Sequence, residues 1–412
     1  MLSRATHVVL IALALIWSSS PNRFDDIVLR PVPKVIDRRF FGLHIHRSME
    51  GTAWPGVPFG SWRLWDARVT WADLQPGPHT WDFRLLDQYV ELSRAHGVEL
   101  LLTLGMTPQW ASSRPNESPK GFEAYGKGAQ APPVRIEDWR EYIRTVAIRY
   151  RGKICCYEIW NEPNQPGFFR GSPQQMVVLA KAAYEVLKSV DNHNVVASPS
   201  INCDSSGEEW LRRFLAAGGG KYADVLAAHF YVMPKGPEAV VSLIKRVESL
   251  LAAYGIDKPL WNTEEGWGPP SSFASEDEEA AFVTRTFLLN AAAGVERAYW
   301  YAWDNTNWVT LRLTDPRTGM PRRAALAYAQ LSQWLTGAQI EQCKTEGHDK
   351  WSCRVTRANG EHWLVLWNSA TTAPSNLMRN TDVRYFPCTT DTTARMSAIV
   401  IGTCPVMINQ HQ

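Results

Sequence analysis

Charge imbalance is the first thing this sequence lacks. Its 412 residues carry 43 Lys and Arg against 41 Asp and Glu, a formal net charge of +2, with no basic stripe along any segment. Neutralising a phosphate backbone needs such a stripe, so no nucleic-acid partner is expected. Cysteine is scarce as well, at seven residues, and no pair is spaced C-x-x-C, which removes the common zinc frameworks. Internal repeats and low-complexity linkers are missing too. The apolar run at residues 8–17 is too short to cross a bilayer comfortably.

That run does have the order of a secretory signal, with Arg4 and His7 before it and Ser18, Ser19 and Ser20 after it. Residues 1–20 are expected to be a signal peptide or an N-terminal anchor. The mature protein would then be periplasmic or extracellular, with residues 8–17 a membrane tether if the segment is retained. Cysteine placement agrees: Cys343, Cys353, Cys388 and Cys404 crowd the C-terminal region, while Cys155, Cys156 and Cys203 lie earlier. Four clustered cysteines in an exported chain suggest two disulfides, for which sequence allows three connectivities. Cys343–Cys353 with Cys388–Cys404 is the preferred pairing, since each closes a short local loop. Aromatics are abundant, with 19 Trp, and large flat apolar faces suit both cores and sugar stacking.

Eight strand-like runs stand out: FFGLHI (40–45), SWRLW (61–65), ELLLTLG (99–105), CCYEIWN (155–161), VVASPS (195–200), VLAAHFY (225–231), PLWNTE (259–264) and AYWYAW (298–303). Helical patterns follow runs two to eight, whereas TAWPGVPFG after run one reads as loop. Strands apolar nearly throughout, alternating with helices, imply a helix-covered parallel sheet. Eight such units over residues 38–337 fit a (β/α)8 barrel. A doubly wound sheet would carry a Gly-rich phosphate loop after strand one, and GLHIHRSMEG is not one. Beyond residue 337 short alternating runs such as WSCRVTR and HWLVLWN replace helical periodicity. The expected fold class is therefore α/β, a TIM barrel with a small C-terminal antiparallel β domain of sandwich type over 338–412, which residues 24–37 could complete.

Barrel active sites gather at the C-terminal ends of the strands. Glu162 ends run four, Glu264 ends run seven, and the 102 residues between them are three βα units. Two carboxyl groups facing across one mouth are what glycoside hydrolysis needs: one protonates the leaving oxygen, the other attacks or activates water. Glu265 is an adjacent rival for the second role. Glu158 shares a strand face with Trp160 and Glu162 by simple alternation, and is expected to be a buried carboxylate paired with a barrel arginine.

W-N-E-P on run four with T-E-x-G-W on run seven resembles the clan A glycoside hydrolases. Length and the small C-terminal β domain are most similar to glycoside hydrolase family 39. FGLHIHR, RLWDARVTWADL, LTLGMTPQWAS and YEIWNEPN further resemble its bacterial exopolysaccharide-associated branch. The resemblance implies a retaining mechanism with Glu162 as acid/base, Glu264 as nucleophile and Asn161 on the substrate's 2-hydroxyl. Arg63 would hold the nucleophile ionised, Tyr231 would donate to it, His229 would orient, and Trp303 would floor the sugar subsite, with Trp300 its rival. Trp65, Asp66, Trp110, Asn164, Trp267 and Asp304 are further candidates for sugar contacts. The implied substrate is a polysaccharide or oligosaccharide, cut internally, with an exo-acting β-xylosidase or β-glucosidase as the alternative. No metal or organic cofactor is called for.

A metal-dependent amidohydrolase is the rival from another class. His44 and His46 form H-x-H at the end of run one, and His229 and Asp304 occupy two further ligand places of such barrels. Run five ends without a histidine and run four offers Glu162 where a lysine is expected, so too few ligands converge. In the preferred reading His44 and His46 line the sugar site or the mouth. A carbohydrate-binding protein that has lost catalysis is a third reading, opposed by the intact carboxylates.

Overall fold

The computed structural model describes residues 26–119, 121–269, 272–304, 308–347, 349–370, 373–375, 383–387 and 399–409. Strands one to four of the barrel are Phe41–His44, Ser61–Leu64, Glu99–Leu104 and Cys156–Ile159. Strand five comes in two pieces, Val195–Ala197 and Ile201–Asn202, followed by Leu226–His229, Leu260–Glu265 and Arg297–Trp300 as strands six to eight. All neighbours pair in parallel, and strand eight returns to strand one through Ala298 with Phe41 and Trp300 with Leu43. Strand five splits at Pro199, which has no N–H to give a ladder. Its first piece pairs with strand four and its second with strand six, and Ala197 pairs with Val225 to close the ring.

Helices Trp71–Leu74 and Arg84–Ala95 follow strand two, and Ile136–Arg149, Pro173–Val190, Ser205–Ala216, Ala239–Ala253, Glu276–Ala292 and Arg323–Leu335 follow strands three to eight. Among the described residues none follows strand one. Local sequence explains their limits. Ser172 accepts from the Gln175 backbone N–H, Gln175 returns the bond to Ser172, and Pro173 takes the first helical position. Met176, Leu179, Ala180, Ala183 and Leu187 then recur at three and four and are buried. Glu276–Ala292 differs, being buried on nearly every side. It is packed between the barrel and the C-terminal sheet, so an apolar stripe would not suffice.

That sheet has six antiparallel strands in the order Val28–Leu29, Gln339–Glu346, Lys350–Thr356, His362–Asn368, Val406–Asn409 and Val383–Tyr385, beside a two-stranded ribbon of Ala373–Ser375 with Ile399–Ile401. Val28 and Leu29 add the N-terminal edge, pairing with Lys344 and Cys343. Cys343 and Cys353 face each other across the first hairpin and form a disulfide. Cys404 is disulfide-bonded as well; Cys388 lies outside the described residues, as do residues 1–20. The sheet is fixed to the barrel by Trp334 against Phe386, and by Glu238, which accepts from both Arg285 and Trp367. No helix among the described residues is long and apolar enough to cross a membrane.

Inside the barrel, Leu101, Cys156, Ala197, Val225, Ala227, Trp261 and Tyr299 form a separate apolar cluster. It fills the interior toward the N-terminal ends of the strands. The polar side chains collect at the other end.

Candidate active site

Both mouth glutamates are aimed by departures from regular strand. In strand four, Trp160 and Glu162 take positive φ values of 67° and 40°, which non-glycine residues adopt rarely. Alternation therefore breaks after Glu158, and the expectation that Trp160 shares a face with it is wrong. Glu158 points into the barrel, whereas Trp160 packs outward against Trp139 and Phe169. Asn161 and Glu162 return to the mouth. Strand seven carries an extra residue: Asn262 to Glu264 opposes Ala228 to His229 on one side, and Asn262 to Glu265 opposes Ala298 to Trp300 on the other. Such a bulge re-aims a side chain. Glu264 enters the mouth, while Glu265 faces Asn290 of helix Glu276–Ala292 and accepts from Asn262 and Asn290 at 2.6 and 2.9 Å.

Arg63, fully buried on strand two, organises the centre. Its Nε donates to Glu158 at 2.7 Å, Nη1 to Glu264 Oε2 at 2.8 Å and Nη2 to Asn161 Oδ1 at 2.7 Å. Tyr231 donates to the other Glu264 oxygen at 2.7 Å. His229 Nδ1 lies 2.9 Å from Glu162 and 3.9 Å from Glu264. One oxygen from each glutamate and this nitrogen lie within 4.8 Å of one another.

Burial dominates the electrostatics. It pushes the Glu162 carboxyl up to about 7, against the pull of Arg63 and with Asp204, Asp66 and Glu158 adding to the rise. It pushes Glu264 up as well, with Glu162 adding to the rise, while Arg63 and the Tyr231 bond oppose it. Burial also lowers His229 to about 4, so near neutrality its ring carries no charge and Arg63 supplies the cation beside Glu264. Glu265 is raised to about 8 by burial in spite of its two amide donors. The result is an acid that is half protonated near neutral pH, next to a second carboxyl that accepts from a guanidinium and a phenol. Such a pair can deliver a proton on one side of a bond and a nucleophile on the other.

The remaining candidates divide. Asp66 is at the mouth, accepting from Tyr125 and, at 2.7 Å, from Tyr301. Trp65 is buried, stacked on Tyr125 and 6.0 Å from the Arg63 guanidinium. His44 rests on the Thr263 carbonyl at 3.0 Å and His46 beside Asp304, both lowered by burial and hence neutral. Asp304 accepts the His46 and Arg47 backbone N–H groups at 2.8 Å each, so it anchors the loop after strand one. Asn164 accepts from the Asn202 backbone.

Trp300 and Trp267 need correction, and Trp110 is half-buried with its N–H engaged. Trp300 is fully buried behind the barrel against Phe282 and Phe287, Trp267 packs on Phe273 and Phe282, and Trp110 spends its indole N–H on the Gln75 carbonyl beside Trp71. Trp303 is buried too, its backbone bonded to His44.

Sequence reasoning missed three mouth aromatics. Tyr301 stands between the two tryptophans weighed for strand eight. Trp308 lies against Tyr231 and Tyr301 at 5.3 and 6.0 Å. Tyr125 reaches Asp66 from the long loop between strand three and its helix, and nothing in its local sequence marks it. For metals, His44, His46 and Asp304 do not converge with His229 into a ligand group among the described residues. Glu162, His229 and Glu264 do converge, but both oxygens of Glu264 already accept from Arg63 and Tyr231.

A helix-covered parallel barrel with this carboxylate pair at its mouth is the architecture of a barrel glycosidase. Residues 151–316, which span Glu162, His229 and Glu264, match the family model for the glycosyl hydrolase catalytic core. With both carboxylates inside the matched segment, the chain reads as a glycosidase. Its fold is similar to a family 39 glycoside hydrolase from Bacteroides cellulosilyticus WH2, at TM-score 0.67 and 18% identity over 92% of this chain and 82% of that one. A family 39 β-xylosidase from Caulobacter crescentus is similar at TM-score 0.64 and 18% identity, covering 92% and 97%. A glucosidase from Croceicoccus marinus is similar at 0.61 and 16%, covering 92% and 83%.

Proposed function

We propose that this chain is a retaining β-glycoside hydrolase, with Glu162 as general acid/base and Glu264 as nucleophile. The observation that carries the reading is the closeness of the two carboxyls, with oxygens within 4.8 Å. Retaining enzymes hold their carboxyls about 5–5.5 Å apart, whereas inverting ones need about 6.5–9.5 Å to admit a water. In the first step Glu264 attacks the anomeric carbon while Glu162 gives its proton to the departing oxygen. In the second, the Glu162 carboxylate takes a proton from the water that breaks the glycosyl–enzyme ester. Arg63 and Tyr231 keep Glu264 ionised and in line. With its Oδ1 committed to Arg63, Asn161 has only N–H groups to offer a substrate hydroxyl.

We take the substrate to be a polysaccharide cut internally, and put an exopolysaccharide of the producing cell first, on motif resemblance alone. The exo-acting alternative draws support from the β-xylosidase and the glucosidase among the similar structures. We also place the protein outside the cytoplasm, a reading supported by the Cys343–Cys353 disulfide. Product mass spectrometry tests the function, with wild type and Glu264→Gln incubated with polysaccharides and aryl β-glycosides. Oligosaccharide ladders from wild type alone are expected. Single sugars released only from aryl glycosides favour the exo alternative, and turnover by Glu264→Gln overturns the assignment.

A further inference from the structure

A cavity of about 510 Å³ opens directly after Glu162 in the chain, its wall beginning at Pro163 and Asn164. Three guanidinium groups line it, from Arg114 on the long loop after strand three, Arg170 after strand four and Arg213 on helix Ser205–Ala216. Phe169 and Trp210, both buried and packed on Trp160 and Phe214 respectively, back it. No Asp or Glu among the described residues lines it. The nearest compensation is Glu117, which pairs with both Arg114 and Arg170, leaving one carboxylate for two cations. Arg213 is exposed and makes no ion pair among the described residues. Asn164 adds a buried Nδ2 with no hydrogen-bond partner, its Oδ1 being taken by Asn202. The N-terminus of helix Pro173–Val190 also borders the cavity and contributes the positive end of its dipole.

A neutral sugar has no use for this surplus of positive charge, and a guanidinium is matched in shape by a carboxylate. Guanidinium and amide N–H donors around one cavity suit a pyranose ring that bears a carboxylate. We propose that this cavity is a subsite for a carboxylate-bearing sugar of the substrate. Its wall starts at the residue that follows Glu162, the general acid in the mechanism above, so we assign the acidic residue to the part of the chain that departs. The substrate class is therefore an anionic polysaccharide carrying uronic acid or an equivalent carboxylate. This rests on the hydrolase reading above for its orientation, but the binding chemistry stands on the cavity itself.

The test is calorimetric binding to the full chain carrying Glu264→Gln, which keeps ligand intact. Glucuronate-bearing xylo-oligosaccharides and oligogalacturonides are compared with neutral xylo-oligosaccharides and gluco-oligosaccharides of equal length. At least one acidic series is expected to bind tighter by about tenfold or more, since a charge-assisted hydrogen bond contributes that much. The preference should shrink as salt screens the contact. Adding Arg170→Gln with Arg213→Gln should bring acidic and neutral ligands to parity, and Arg213→Glu should invert the preference. Neither side chain is in the core, and melting curves will verify that the variants fold. Equal affinity for acidic and neutral ligands, or a preference that survives both variants, overturns the subsite. Wild-type hydrolysis of neutral aryl β-glycosides judges the catalytic reading separately. Turnover there without acidic preference sinks only the subsite, and acidic preference without turnover of any glycoside sinks only the mechanism.

Discussion

His229 Nδ1 stands 2.9 Å from Oε1 of Glu162, and burial keeps that imidazole uncharged near neutral pH. The acid therefore has a hydrogen-bond partner but no adjacent imidazolium to pull its pKa down. With Glu162 at about 7, the alkaline limb of kcat/KM should fall through a midpoint near pH 7. Replacing Glu162 with Gln should remove that limb on activated aryl glycosides, whose leaving groups need little protonation. A pH–rate profile of both proteins checks this, and a limb that persists in the variant contradicts it.

The same shift predicts a stability effect. The folded state holds the Glu162 proton more tightly than the unfolded chain, whose ordinary value is 4.5. Stability is thus lost as pH rises from about 4.5 through about 7, by up to roughly 3 kcal/mol. Glu162→Gln should melt above wild type at pH 8, with the gap closing near pH 4. Thermal denaturation at the two pH values measures it.

Adjacent glutamates should separate cleanly. Glu264→Gln is expected to abolish turnover. Glu265→Gln should retain it, because Glu265 faces helix Glu276–Ala292 and is raised to about 8, so it is already neutral at pH 7. Steady-state kinetics on the two variants decides the matter.

Arg63 satisfies Glu158, Glu264 and Asn161 at once, entirely out of water. Arg63→Met strands buried carboxylates, and losing one partner of a buried pair costs about 3–5 kcal/mol. A lowered denaturant midpoint together with lost activity is expected. A variant that loses activity alone would mean that Glu158 finds another partner.

Tyr125 fastens the long loop after strand three to Asp66. Tyr125→Phe removes a bond to a charged group, which is worth about 1.5–3 kcal/mol. The loop should then be cut faster by protease, and KM should rise more than kcat falls. Unchanged proteolysis would show that the stacking of Trp65 on the same ring holds the loop without it.

Strand count, helix order and both mouth glutamates were legible in the sequence because each rests on a local signal: apolar runs, period-3.6 faces, or a carboxylate ending a buried strand. The missed features are non-local. No pattern announces that strand seven holds an extra residue, yet that residue decides which of Glu264 and Glu265 faces the mouth. Likewise the positive φ at Trp160 breaks the alternation used to place it. The repeat YWYAW offered two tryptophans, and only tertiary packing reveals that Tyr301 between them reaches Asp66. Tyr125 comes from a loop whose path depends on what it meets.

A covalent trap tests the central claim most directly. Wild type and Glu264→Gln are incubated with 2-deoxy-2-fluoro aryl β-glycosides of several sugars, which slow the second displacement more than they hinder the first. The account predicts one added fluoroglycosyl mass on wild type, mapped by peptide sequencing to Glu264 and missing from the variant. An adduct on Glu265 or Glu162, or turnover of the parent glycosides with inversion at the anomeric carbon, would contradict it.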